Sequence, residues 1–165
     1  MSAIISPCGT YRYRLERDGG LFTRRWETKI CWIMVNPSTA DASQDDATIR
    51  KVRGFTERMG GHRFIVGNLF AYRATDVRAL KNAPDPIGPD NDRHLAAMIK
   101  EADRVIFAWG ASGKMPRGWQ DRVALVAALA GRFPHKRPLV LGRCADGQPR
   151  HPLMTAYAQS LELWA

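Results

Sequence analysis

Four short apolar runs in this chain each give way to residues able to hold or activate a ligand. Ile30–Val35 ends in Asn36-Pro37-Ser38, with Asp41, Asp45 and Asp46 close behind. Phe64–Phe70 carries Asn68 near its end and leads into Tyr72 and Arg73. Arg104–Trp109 stops at Gly110, and Leu139–Gly142 leads into Cys144–His151, which brings Arg150 and His151. A carboxamide offers a donor and an acceptor together, which suits Asn36 to orienting a water and Asn68 to reading a base edge. Phe70 and Tyr72 offer flat faces for stacking, Arg73 suits a phosphate, and His151 can donate to a developing oxyanion. Each residue also has an ordinary reading. Asn36 is a turn former, the aromatics are packing residues, Arg73 pairs Asp76 or Asp41, and His151 is an exposed loop histidine.

The elements that must position these groups follow from the pattern. Uninterrupted apolar runs of this length suit strands buried on both faces, as in a parallel sheet. Between them Asp46–Met59 shows Ile49, Val52, Phe55 and Met59 at helical spacing, with Gly60-Gly61 as a stop. Asp76–Lys81 predicts a short helix capped by Asp76. Asp90–Ala102 and Trp119–Leu129 predict two longer ones. The alternation predicts an α/β fold of three layers, α/β/α, around a central parallel sheet of four strands. Tyr11–Leu15 and Leu21–Trp26, flanking Arg17-Asp-Gly-Gly20, predict an N-terminal β-hairpin. No repeat or linker divides residues 1–165, so a single domain is expected. In open α/β sheets ligands bind beyond the carboxyl ends of the strands, where the polar residues above fall.

Composition narrows the function. Against 25 Lys plus Arg stand only 16 Asp plus Glu, a formal charge of +9 that favours polyanionic partners such as nucleic acid or nucleotides. Cys8, Cys31 and Cys144 are too scattered for a disulfide framework or a metal knuckle, which suggests free thiols in a reducing cytoplasm. The first residues lack a basic leader and a long apolar run, and no stretch is long enough to cross a bilayer. A cytoplasmic, soluble protein without a membrane role is expected, and its oligomeric state stays open.

Other chemistries find less support. Asp41, Asp45 and Asp46 could gather magnesium for phosphoester chemistry, but capping the following helix is the stronger reading. Trp109-Gly-Ala-Ser-Gly-Lys114 is glycine-rich yet lacks the spacing of a phosphate-binding Walker loop. Ser38 and Ser112 lack the setting of a hydrolase nucleophile. No cofactor and no metal are expected.

Several motifs together resemble a small bacterial and phage domain of unknown function. They are Cys8-Gly-x-Tyr-Arg-Tyr, Asn36-Pro-Ser-Thr-Ala-Asp-Ala with Asp45-Asp46-x-Thr-Ile, Asn68-Leu-Phe-Ala-x-Arg-Ala-Thr, Asp85-Pro-Ile-Gly-Pro-x-Asn-Asp, Ala108-Trp-Gly and Gly147-Gln-Pro-Arg-His-Pro. The order of strand exits, Asn-Pro, Asn, Trp-Gly and His-Pro, is also similar to the uracil-DNA glycosylase superfamily. That resemblance implies a glycosylase-like fold and metal-independent N-glycoside hydrolysis in DNA modification or repair. Asn36 would position the attacking water, Asn68 would read the flipped base and His151 would stabilise the departing base, with Phe70 or Tyr72 stacked on it. Pro37, Ser38, Arg73, Trp109 and Gly110 would complete the site, with Asp41, Asp45 and Arg150 as further candidates. The chain departs from the superfamily pattern at Ser38 and at Leu153-Met154. The alternative is a binding module for modified bases or nucleotides that catalyses nothing.

Overall fold

Ile30, Cys31, Trp32 and Ile33 are all fully buried, as befits a strand covered on both faces. The computed structural model describes residues 1–18, 28–38 and 40–164, and this strand lies at the middle of its sheet. In chain order the strands are β1 (Ser2–Ile5), β2 (Arg12–Arg17), β3 (Lys29–Met34), β4 (Arg63–Asn68), β5 (Arg104–Phe107), β6 (Leu139–Val140) and β7 (Glu162–Leu163). They form one mixed seven-stranded sheet in the order β1-β2-β4-β3-β5-β6-β7. Pairing is parallel between β3 and β4, β3 and β5, and β5 and β6. It is antiparallel at both margins, where β1, β2 and β7 join.

The sheet is thus mixed and seven-stranded, where four parallel strands with an added edge hairpin are expected. Of the expected hairpin, only the first arm falls within the described residues. β2 does belong to an antiparallel pair, but its partners are β1 on one side and β4 on the other. The proposed second arm, 21–26, lies outside the described residues. β1 escaped notice because it is short, half exposed and paired through its backbone rather than an apolar face.

Among the described residues the helices of more than two turns are α1 (Ala47–Arg58), α2 (Asn91–Glu101) and α3 (Trp119–Gly131). Alternation along the strands splits the core into two clusters. Ile30, Trp32 and Met34 join Phe64, Val66 and Ile106 against Ile49, Val52 and Phe55 of α1. Cys31 and Ile33 join Ile65, Val105 and Phe107 against Leu95, Met98 and Ile99 of α2 and Val126 and Leu129 of α3. Gly67 lets α2 approach closely, since a Cβ there would fall 2.5 Å from Cε of Met98.

Asp46 caps α1 as expected, its carboxylate accepting from Ile49 N at 2.8 Å. Asp76 does the same for a short 3₁₀ helix, Val77–Asn82. One irregularity matters for the site. Pairing of β1 with β2 slips between Ile4, opposite Arg14, and Ile5, opposite Arg12. Tyr13 is left as a bulge, which turns Arg12 onto the opposite face from Arg14. Arg14 reaches Glu101 on α2, whereas Arg12 reaches the carbonyl of Ala40 before α1.

Candidate functional site

β3 leads through α1 to β4 on one side, and β4 leads through α2 to β5 on β3's other side. The exits of β3 and β5 are thus adjacent while their connections part, which opens a crevice at the carboxyl ends of the strands. A cleft of about 820 Å³ lies there, within the usual range for small-molecule sites. Its walls come from Met34–Asn36 and Ser38 at the end of β3 and beyond, Asp46–Ile49 at the start of α1, Ala74–Arg78, Trp109, Ala111 and Gly113–Met115 after β5, and His151 with Leu153. Arg12 adds to them from β2.

Asn36 is held by its amide nitrogen. Nδ2 donates to the carbonyls of Ala74 at 2.7 Å and Pro37 at 3.1 Å, and Ala74 N returns a bond to Pro37 O. Two carbonyl acceptors dictate which way the amide faces. Its Oδ1 is left as the free acceptor among the described residues.

His151 reaches the cleft on a loop tied to the β5 exit. Trp109 Nε1 donates to Gln148 Oε1 at 2.9 Å, and Gly110 N donates to Pro149 O at 2.9 Å. Asp146 Oδ2 receives both the amide and the hydroxyl of Ser112. Gly110 has φ +85°, open to glycine but strained for other residues. His151 Nδ1 accepts from Leu153 N at 3.3 Å, so Nε2 carries the proton of the neutral ring. Burial pushes the imidazole below its usual range against an opposing pull from Asp46, and at pH 7 it is neutral.

Of the expected residues, Asn36, Ser38, Trp109 and His151 line one cleft. Asn68 does not. It pairs in register with Met34 on the cleft wall but is fully buried, and neither amide atom finds a partner among the described residues. Phe70 is buried within the apolar core, and Tyr72 packs on that core with its ring edge-on to Tyr11. Neither offers a stacking face to the cleft. Arg73 donates to Gly9 O and Arg150 to Arg143 O, so both serve backbone near the site. Pro37 and Gly110 shape the walls without lining them.

The acidic cluster divides by task. Asp41 holds its own turn through Ser43 and Gln44. Asp45 takes ion pairs from Arg17 at 2.6 Å and Arg53 at 3.0 Å. Burial raises its carboxyl, but the two arginines prevail and leave it below the usual range. Asp46 alone faces the cleft. Among the described residues no three His, Cys, Asp or Glu side chains are grouped to hold a metal.

Sequence reasoning passed over Arg12 as a cleft residue and weighed Asp46 only as a helix cap or a magnesium ligand, yet both line the cleft. Asp46 looked like a helix cap, which it is, and nothing local shows that a cap borders a crevice. Arg12 lay within a strand, and only the bulge at Tyr13 aims it. The motif Asp85 to Asp92 proves to be scaffold: Asp85 accepts from Ile87 N and Gly88 N. Asn91 donates to the carbonyls of Asn68 and Leu69, and Asp92 pairs with Arg122.

Among the described residues no helix is long and apolar enough to cross a membrane. A family model described as Protein of unknown function (DUF1643) matches residues 12–153. No curated protein matches the chain, and no solved structure does.

Proposed function

This chain belongs to the DUF1643 family of proteins of unknown function, and from that premise we propose that it is a glycosylase-like hydrolase releasing a base from a nucleotide or nucleic acid. The observation that carries the reading is that Asn36 and His151, far apart in the chain, line one cleft beside Asp46. The three supply complementary groups: a fixed acceptor, a neutral donor and a carboxylate.

In this reading a water sits on Oδ1 of Asn36 and attacks the anomeric carbon of the sugar. The bond from that carbon to the base nitrogen breaks, and its electron pair leaves with the base. Nε2–H of His151 donates to the negative charge that gathers there. Asp46 faces the positive charge developing on the sugar and takes the proton of the water. The parallel strands run β4-β3-β5-β6, with β1, β2 and β7 as additions, and α1 lies across the sheet from α2 and α3. Such a three-layer arrangement around four parallel strands, with Asn-Pro and Trp-Gly at adjoining exits, supports the likeness to the uracil-DNA glycosylase superfamily. Asn68, sealed behind the wall, leaves base reading to the residues that line the cleft.

Binding without turnover is the second reading. It is favoured by two prior commitments: Asn36 Nδ2 already holds backbone, and Asp46 Oδ1 already caps α1. Incubating the protein with nucleosides, nucleoside monophosphates and oligonucleotides carrying normal and modified bases separates the two by mass spectrometry. Release of free base by the wild type and its loss in Asn36→Ala is the expected result. Binding with no free base from any substrate would leave only the second reading.

A further inference from the structure

Among the described residues three arginines are nearly or fully buried, Arg12, Arg17 and Arg122, and a buried guanidinium ordinarily needs a counter-ion. Arg17 has Asp45 and Arg122 has Asp92. Arg12 has no carboxylate in ion-pair contact among the described residues. Among the described residues its guanidinium makes one hydrogen bond, from Nη1 to the carbonyl of Ala40, and its Nε is without a partner there. Burial lowers its pKa to about 10, Asp46 opposing the shift and Arg73 adding to it, so it is a cation at neutral pH. A fold that retains such a charge, 2% exposed and on a cleft wall, has a use for it.

The neighbouring wall is of the same character. Ala47 and Thr48, in the first turn of α1, also line the cleft. The opening amides of a helix have no acceptor within it, and the cap carboxylate of Asp46 takes the amide of Ile49. Helix amides and a guanidinium fork both match an oxyanion in charge and in geometry.

We propose that Arg12 and the first turn of α1 form an oxyanion subsite inside the cleft, and that it takes the terminal phosphate of a nucleotide. Arg12 lies too deep for the phosphodiester backbone of a duplex, which would pass over the rim at Arg78 and Lys114. A phosphomonoester on a single nucleotide, or at the end of a strand, can enter a cleft of about 820 Å³. Asp46 on the same wall sets the polarity: the anion goes to Arg12, and the sugar carbon that turns positive goes to Asp46. The choice of a nucleotide as substrate rests on the base-releasing reading, whereas the oxyanion subsite stands apart from it.

The test is titration of the full chain with inorganic phosphate, nucleosides, nucleoside 5′-monophosphates and 5′-phosphorylated oligonucleotides, followed by calorimetry and thermal melting at constant ionic strength. Expected are a melting temperature that rises with phosphate and monophosphates that bind at least tenfold tighter than their nucleosides. In Arg12→Met the phosphate response disappears and monophosphate affinity falls by roughly 10- to 100-fold, while nucleoside affinity is unchanged. Arg12→Met melts no lower than the wild type without ligand, since it removes an unpaired buried charge. Should that variant not fold, Arg12→Lys keeps the charge without the fork and is expected to bind phosphate at intermediate strength. Free nucleotides binding more tightly than phosphorylated oligonucleotides assigns the phosphate to a single nucleotide, and the reverse assigns it to a strand end. A phosphate response surviving in Arg12→Met, or equal affinity for nucleoside and monophosphate, overturns the subsite. Phosphate binding through Arg12 without base release upholds the subsite and removes the hydrolase reading. Base release from a nucleoside monophosphate that is indifferent to Arg12→Met does the opposite.

Discussion

Gly110 is packed against His151: a methyl group on Gly110 would stand 3.2 Å from the histidine's Cβ. The contact joins the exit of β5 to the loop that presents the imidazole, and the Trp109–Gln148 bond beside it keeps the two in step. Gly110→Ala therefore meets two penalties, a left-handed backbone at φ +85° and a crowded neighbour. A loss of about 1–2 kcal/mol is expected from the backbone alone. Urea melts should show this loss, and on the base-releasing reading base release should fall further than stability explains because His151 is displaced. Wild-type stability in Gly110→Ala would refute the packing argument.

Asn36→Asp exchanges a donor of two hydrogen bonds for an acceptor facing two carbonyls, those of Ala74 and Pro37. Leaving such groups unpaired costs about 1–3 kcal/mol each where they are buried. Asn36→Asp should accordingly be less stable than Asn36→Ala, in which water can reach the carbonyls. Equal chemical denaturation midpoints for the two variants would contradict the assigned amide orientation.

Acid should weaken the fold through His151. Its pKa in the folded chain lies below the usual 6.5, so the unfolded chain binds the proton more readily. The stabilisation is present above pH 6.5 and is lost as pH falls through the lowered value. Protonation also removes the Nδ1 acceptor from Leu153 N. His94 is depressed as well, by burial first and by Arg93 next. His151→Gln should then flatten the stability profile below pH 6.5 without abolishing its slope. An unchanged profile would mean that His151 titrates alike in both states.

Asn68→Leu should stabilise the protein by about 1 kcal/mol. The amide is fully buried with both polar atoms unpartnered among the described residues, and an apolar replacement of similar shape removes that desolvation cost. On the base-releasing reading, turnover should persist, since the side chain does not line the cleft. Loss of base release in a stable Asn68→Leu variant would return this residue to the site.

Asp45→Ala should be the most damaging surface-near change, costing about 3–5 kcal/mol. It strands Arg17, which is fully buried and donates to Asp45 at 2.6 Å. A double replacement, Asp45→Ala with Arg17→Met, should recover much of the loss. Thermal melts of the single and double variants decide this.

Elements with strong periodicity were plain from residue order. The apolar runs became β3, β4, β5 and β6, and the spacing of Ile49, Val52 and Phe55 became the buried face of α1. β1 and β7 were not visible because short strands at a margin pair by backbone and carry little apolar pattern. Site residues divided similarly. Asn36 and His151 were recognisable because each follows an apolar strand or a glycine-bearing loop. Phe70 and Asn68 shared that signature, yet both point into the interior.

By itself the sequence determined the central strands β3 to β6 and the three long helices, and at which end of the sheet the polar residues gather. Those follow from local periodicity and capping, which each stretch of chain carries independently. Only the tertiary structure decided that Asp46 borders a cleft as well as capping a helix, that a bulge turns Arg12 into that cleft, and that Asn68 is sealed away. The physical reason is that facing depends on register: one extra residue in β2, or one step along β4, exchanges crevice for core without changing any local preference.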